Sequence, residues 1–414
     1  MAASEPKKRR VVGVQSEYGI SSSKEQGKDK NGRHWISAMM TLCTNNTLCY
    51  ITLTPLKIIN CNASTCVGSS FPKAFCETEY FQDGLVFGDI FQNGMDILVE
   101  YMKNKTFPEN KGKFLVLSKL LKFMNEDRTI GVHDNQDLQR FSEAELTILV
   151  ANHLLGRLAI SSCYLVDKNC IGRKGDQCFC GEDSCKMTGD YGDTSVGNVD
   201  VWHGNLDIVI NNDLAVEPVE DKTESPSGKS PVEVKLKTVL SRNPQIIAQT
   251  IVFSFLQKKT HPERDSFLTP CIGIGSSDLI VMFYDSEHDV LLESSSIPLF
   301  NDPFSFEFSY TAIIVSWLVV NYKFLCTGLP DHMKTYKSDF FVHAGKKIKI
   351  YEEKLAFGNV ISSQTTEGRL KFCPRVKCTP KMHEHEKILQ EVLWSLESSS
   401  GSSESASNLN PKYM

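Results

Sequence analysis

Apolar positions recur every three or four residues from Lys113 to Met124 and again from Ser142 to Ile160, where Leu146, Ile148, Leu149, Val150, Leu154, Leu155 and Leu158 form one broad stripe. This is the repeat of an amphipathic helix, and Ser142 followed by Glu143 and Glu145 supplies a cap and an acidic first turn. Alternation takes over from Val199 to Asn211, and β-branched residues dominate Pro231 to Leu236, Cys271 to Ile274 and Leu279 to Tyr284. These read as strands, with Ala215 to Val219 able to pair with the first. Asn243 at a cap position with Pro244 behind it opens a helix over 243–257. The pattern further predicts short strands such as Thr47 to Leu53, a turn at 285–289 leading into Val290 to Leu292, and an aromatic-rich approach from Asn301 into a buried helix before Phe324. A strand at Lys346 to Tyr351 and a polar helix at Lys381 to Leu396 complete it. Helices interleaved with strands define an α/β chain whose mixed central sheet is flanked by helices.

Periodicity is missing from residues 1–34, rich in Ser, Lys, Gly and Glu, and from the Ser-rich run 397–414, so both read as disordered tails. Between them the expected organisation is an α+β region at 35–135 that contains five cysteines, a main domain at 140–355 with a Cys-rich insertion at 163–198, and a helical extension at 356–396. With 41% hydrophobic and 23% charged residues the chain can build a core. Its formal net charge of -5 excludes a general basic coat, so any nucleic acid must be held by a local basic surface and a metal. The polar, basic opening residues carry no secretory leader, and the apolar run Ala312 to Val320 is too short to cross a bilayer. The expectation is an intracellular protein without a membrane partner. The cluster Lys7-Lys8-Arg9-Arg10 resembles a monopartite nuclear import signal and favours the nucleus over the cytoplasm.

An intracellular setting makes the 14 cysteines reduced thiols or metal ligands rather than disulfides. Cys43, Cys49, Cys61, Cys66 and Cys76 have no paired spacing and read as ordinary thiols. Cys178-Phe179-Cys180 with Cys185 is a tighter group of a kind that suits zinc or an iron–sulfur cluster. It lacks both a Cys-x2-Cys pair and a histidine nearby in the chain, so the segment reads as a thiol-rich loop instead.

The residues that carry chemistry lie further on. Asp207, between Leu206 and Ile208, is an acid in the middle of an apolar strand, a costly position unless it is paired or liganded. Glu233 and Lys235 are two apart on a second strand and therefore share a face. Two carboxylates on neighbouring strands beside an ammonium meet the needs of metal-assisted phosphodiester hydrolysis, which requires neutralised phosphate charge and an activated water. Glu217 and Glu220 are rival acids that read as turn residues beside Pro218. His203 reads as a strand histidine with a structural hydrogen bond, and His383-Glu384-His385-Glu386 as a solvated helix face.

Gly204-Asn205-Leu206-Asp207, then Glu233-Val234-Lys235, then a helix with Gln245 and Gln249 resembles the PD-(D/E)XK nuclease superfamily and its RecB-like branch. That branch shows a Gly-x-x-Asp strand, an Asp/Glu-x-Lys strand and a Gln-x-x-x-Tyr helix; here Gln249 is followed by Phe253 where the motif has Tyr. The resemblance covers roughly residues 140–300. It implies a restriction-endonuclease-like αβββαβ core and a Mg2+- or Mn2+-dependent nuclease acting on DNA. Asp207, Glu233 and the Val234 carbonyl would hold the metal, joined by Glu145 from the first helix. Lys235 would be the catalytic lysine, and Gln249 would position substrate or water. The rival expectation is a catalytically inactive nuclease fold serving as a nucleic-acid-binding or protein-interaction module.

Overall fold

The computed structural model describes residues 32–43, 51–126, 130, 143–161, 163–169, 178–210, 214–218, 240–275, 277–301 and 306–360. In chain order, α1 (Gly32–Cys43) precedes β1 (Thr52–Cys61), β2 (Cys76–Tyr80), β3 (Leu85–Val86), α2 (Gln92–Asn104) and α3 (Lys111–Asn125). Helix α4 (Glu143–Val150) continues through a π-helical turn, Ala151–Leu155, into the short α5 (Gly156–Leu158). Strands β4 (Tyr164–Asp167), β5 (Asp190–Gly192), β6 (Ser195–Gly197), β7 (His203–Asn205), β8 (Ile208–Ile210) and β9 (Leu214–Pro218) follow. Helix α6 (Pro244–Thr260) leads into β10 (Leu268–Ile274), β11 (Asp278–Asp285), β12 (Val290–Ser294) and β13 (Ile297–Pro298). Last come α7 (Tyr310–Val320), α8 (Tyr322–Leu325), α9 (Phe340–Ala344), α10 (Ile348–Glu353) and β14 (Ala356–Phe357).

The large sheet has the order β2-β1-β12-β11-β10-β9-β8-β4-β5, with β3 on β1 and β13 on β11. It is mixed. The β9–β10 and β4–β5 pairs are parallel, while β4–β8, β8–β9, β10–β11, β11–β12 and β12–β1 are antiparallel. A parallel pair needs a crossover connection, and α6 supplies it between β9 and β10. Strand β1 pairs with β12 from Leu53↔Ser294 to Leu56↔Leu291, so the cysteine-containing early region and the later strands share one sheet.

Both faces of that sheet are covered. Val166, Ile208, Val216 and Ile272 join one core together with residues of α4 and α7. Their neighbours Leu165, Val209, Ala215 and Cys271 join the other, with α6. Such alternation between two cores is what period-two side chains produce in strands buried on both sides. The expected large mixed sheet flanked by helices is therefore present. Helix α7 is buried from Ala312 to Val320. Ser309 caps it by accepting from the Ala312 N–H at 3.0 Å, and the Trp317 indole donates to the Val116 carbonyl at 2.8 Å, whereas the Ser316 hydroxyl is buried without a partner among the described residues.

Some local readings change. The segment 346–351, expected as a strand, is helical, because Ile348 and Tyr351, three apart, pack on the same core as α6 and Tyr351 donates to the Ala63 carbonyl at 3.1 Å. The single strand expected over 199–211 is two strands in two sheets. β7 belongs to the three-stranded sheet β14-β6-β7 and β8 to the large one. Gly204 permits the change with φ 151°, and a Cβ there would lie 2.9 Å from Phe71 Cδ2. Residues 164–167, expected within an insertion, form the inner strand β4 because all four are buried. Helix α1 begins within the expected tail, burying Trp35, Ala38, Met39 and Leu42 at helical spacing. The strand expected over 231–236, the helix expected over 381–396, the import-like cluster at residues 7–10 and the run His383-Glu384-His385-Glu386 lie outside the described residues.

Candidate functional site

Asp207 sits where the chain passes from the small sheet to the large one, half-buried and one residue before β8 rather than in mid-strand. The registers Val166↔Ile208 and Ile208↔Val216 extend by one residue to set Asp207 between the backbone positions of Asp167 and Glu217. Asp167 at the end of β4 stands opposite Asp207, its N–H donating to the Asp207 carbonyl at 2.9 Å. Glu217 occupies the backbone position opposite Asp207 on the other side and is paired in turn with Gly273 of β10. Directly opposite positions in an antiparallel pair, as Asp167 and Asp207 are, bring Cβ atoms to about 5 Å, close enough for two carboxylates to share a cation. The Asp167 carboxylate is buried yet well supplied. Asn205 Nδ2 reaches both of its oxygens at 2.9 Å, and the Asn169 N–H reaches one at 3.1 Å.

Strand alternation turns Asp167 toward the face that α6 covers, since Leu165, two residues away, belongs to the α6 core, and Asp207 stands opposite it on the chain between Leu206 and Val209 of that same core. The helix approaches the sheet closely at Gly273, where a Cβ would meet Ile246 Cδ1 at 2.6 Å. Gln249 is three residues after Ile246 and so on the same side of the helix, one turn on. It is fully buried, and neither its amide nitrogen nor its amide oxygen has a hydrogen-bond partner among the described residues. The helix start is the one read from the sequence. The Asn243 side chain accepts from the Gln245 and Ile246 N–H groups, with Pro244 at the first position.

The structure thus places Asp207 opposite Asp167 at the end of β4, and Gln249 on the helix that covers one face of the sheet. It places Glu145 in α4, whose apolar residues pack in the core on the opposite face. Glu233, Val234 and Lys235 lie outside the described residues. Asp167 was missed by sequence reasoning, although like Asp207 it is an acid set against an apolar run, here Cys163-Tyr164-Leu165-Val166. Glu217, expected in a turn, is in strand β9. His203 Nδ1 lies 2.9 Å from the Val201 carbonyl, a backbone contact of the kind expected of it.

A second constellation lies at the other end of β4. His153, Cys178, Cys180 and Cys185 place one ligand atom each within 4.8 Å of one another, a Cys3His set that could hold a metal ion. His153 comes from the π-helical turn, and the three cysteines come from the loop before β5. The thiol-rich loop of the sequence reading therefore does have a partner histidine, supplied from 25 residues upstream by the fold. Burial, with the Arg157 charge behind it, pushes His153 down to about 4, so at neutral pH it is the uncharged imidazole that metals bind. Burial pushes the Cys178 and Cys185 thiols up, and the neighbouring sulfurs add to this. A cation among them would reverse that preference. The group Asp285, Glu287 and His288 is of another kind. Asp285 accepts from the Glu287 and His288 amides at 2.9 and 3.0 Å and faces His288 Nδ1 at 2.9 Å, which accounts for it as a brace of the β11–β12 turn.

No helix among the described residues is long and apolar enough to cross a membrane. No family model, curated protein or solved structure matches this chain.

Proposed function

We propose that the chain is a metal-dependent nuclease acting on DNA, with Asp207 and Glu233 as carboxylate ligands of Mg2+ or Mn2+, the Val234 carbonyl beside them and Lys235 as the catalytic lysine. The observation that carries this reading is the backbone pairing of Asp167 with Asp207 in the sheet that α6 covers, together with the buried Gln249 of that helix, whose amide has no partner among the described residues. A buried amide is left unsatisfied at a cost, so its retention fits a position that meets a ligand or a water. The element order supports the reading as well. Helix α4–α5, strands β4, β8 and β9, helix α6 and strand β10 follow the αβββαβ succession that the PD-(D/E)XK resemblance implies.

The donor set suits a hard divalent ion, which takes oxygen ligands. When bound, such an ion neutralises phosphate charge and lowers the pKa of a coordinated water. The chain's own groups do the rest. Asn205 and Asn169 fix the Asp167 carboxylate and so the edge on which Asp207 stands. Lys235, on the segment between β9 and α6, brings an ammonium to stabilise charge on the phosphate, and Gln249 orients substrate or water from the helix. With a net charge of -5 the nucleic acid would be held by the metal and Lys235, and the basic cluster Lys7 to Arg10 serves delivery to the nucleus.

The test is cleavage of labelled single-stranded DNA, duplex DNA and RNA by the full chain, with and without Mg2+. The expected result is Mg2+-dependent cutting of DNA that falls roughly 10²-fold or more in a Lys235→Ala variant with an unchanged circular dichroism spectrum. Retained DNA binding without cutting by the unaltered chain would favour the inactive, binding-only fold.

A further inference from the structure

We infer that His153, Cys178, Cys180 and Cys185 form a closed Zn2+ centre that clamps the π-helical turn to the edge of the large sheet. A tetrahedral zinc ion with Zn–S of about 2.3 Å and Zn–N of about 2.0 Å sets its ligand atoms apart by about 3.8 Å for two sulfurs and about 3.5 Å for sulfur and nitrogen. His153 Nε2 lies 3.2 Å from Cys178 Sγ and 3.7 Å from Cys185 Sγ, and all four ligand atoms are within 4.8 Å of one another. One ion fits those separations. An iron–sulfur cluster spreads its thiolates over several irons and needs them further apart.

The donor chemistry selects zinc over magnesium, because thiolates and imidazole are ligands of borderline and soft ions. Four protein donors leave no open position, and Cys178, Cys180 and His153 are buried. The centre is therefore structural rather than catalytic. It is also supported from outside. Asn152 Nδ2 faces Cys185 Sγ at 3.6 Å, while Asn152 Oδ1 accepts from the Tyr164 hydroxyl at 2.9 Å and from the Thr188 N–H at 3.3 Å. The π-turn is what places Asn152 and His153 together against this loop, a use for which such bulges recur. Tyr164 begins β4, and Thr188 leads into β5, so the ion pins two segments remote in sequence at the pair Leu165↔Asp190.

The inference is independent of nuclease activity, because its readout is metal content. The full chain, purified without chelator, is analysed by inductively coupled plasma mass spectrometry, and its thiols are counted under denaturation. The expected result is about one zinc per chain, lost in His153→Ala and in Cys178→Ser. Cobalt exchanged into the unaltered chain should give the visible bands of a tetrahedral thiolate site. Zinc removal should lower Tm and speed amide exchange in 164–167 and 190–192. Because content is read on the unaltered chain, a variant that fails to fold does not decide the matter. Three outcomes would overturn the inference: iron with acid-labile sulfide, a disulfide among the three cysteines with no metal, or a zinc-free chain with all thiols reduced.

Discussion

Gln249 is the side chain whose surroundings make least sense as packing alone. The other buried polar groups of α6 are satisfied: Thr250 Oγ1 donates to the Ile246 carbonyl at 2.6 Å, Ser254 Oγ to the Tyr284 carbonyl at 2.9 Å, and Gln257 accepts from Arg264 at 3.3 Å. An unmet buried amide costs about 1–3 kcal/mol. Gln249→Met keeps the length and removes the polarity, so urea unfolding is expected to show equal or greater stability, by up to about that amount, while cleavage falls. A less stable variant with full activity would make the amide a structural group. Asp167 and His153 show how residue-level signals differ in legibility. The first, like Asp207, is an acid set against an apolar run, here Tyr164-Leu165-Val166, and could have been read. The second is an ordinary histidine in an apolar helix, and only its contact with cysteines 25 residues away gives it a role.

Among the elements, α6 was the most legible, since Asn243 and Pro244 mark its start chemically and the described cap uses both. Its interior also explains why Phe253 stands where the resembled motif has Tyr. The ring is fully buried in the α6 core, and a hydroxyl there would enter apolar surroundings. Phe253→Tyr is expected to lose about 1–3 kcal/mol in chemical denaturation, and a neutral result would place a polar partner nearby. The break between β7 and β8 was not legible, because both halves alternate in the same way and only their pairing partners differ. At 346–351 lysines and isoleucines alternate like a strand, yet the burial of Tyr351 three residues after Ile348 decides for a helix. Where two periods fit a short segment, tertiary packing chooses.

Across the whole molecule, the α/β class followed from the pattern of elements, whereas the sheet order did not. Pairing of β1 with β12 joins residues more than two hundred apart, a contact that local periodicity does not encode. Asp193 is another long-range tie, linking Lys168 beside β4, Ser195 of β6 and Asn359 after β14. Burial acts to raise its pKa, but hydrogen bonds from the Ser195 hydroxyl and N–H, the Asn359 N–H and the Lys168 ammonium outweigh that and hold it at about 2, below the ordinary 3.8. The folded chain therefore binds fewer protons here than the unfolded one. The stability this group confers is present above about pH 4 and is lost as pH falls through about 2. In thermal unfolding, the Tm gap between the unaltered chain and Asp193→Asn should be widest near neutral pH and narrow over that acid range. A gap that is constant with pH would show that the carboxylate's charge is immaterial.

The central claim is that the acidic site at Asp207 performs hydrolysis, and the most direct test is single-turnover cleavage of labelled DNA in Mg2+ by the full chain and by Asp207→Ala. The account predicts a rate lowered roughly 10²-fold or more, with DNA binding and the circular dichroism spectrum retained. An Asp207→Ala protein that folds and cuts DNA at the unaltered rate would contradict it.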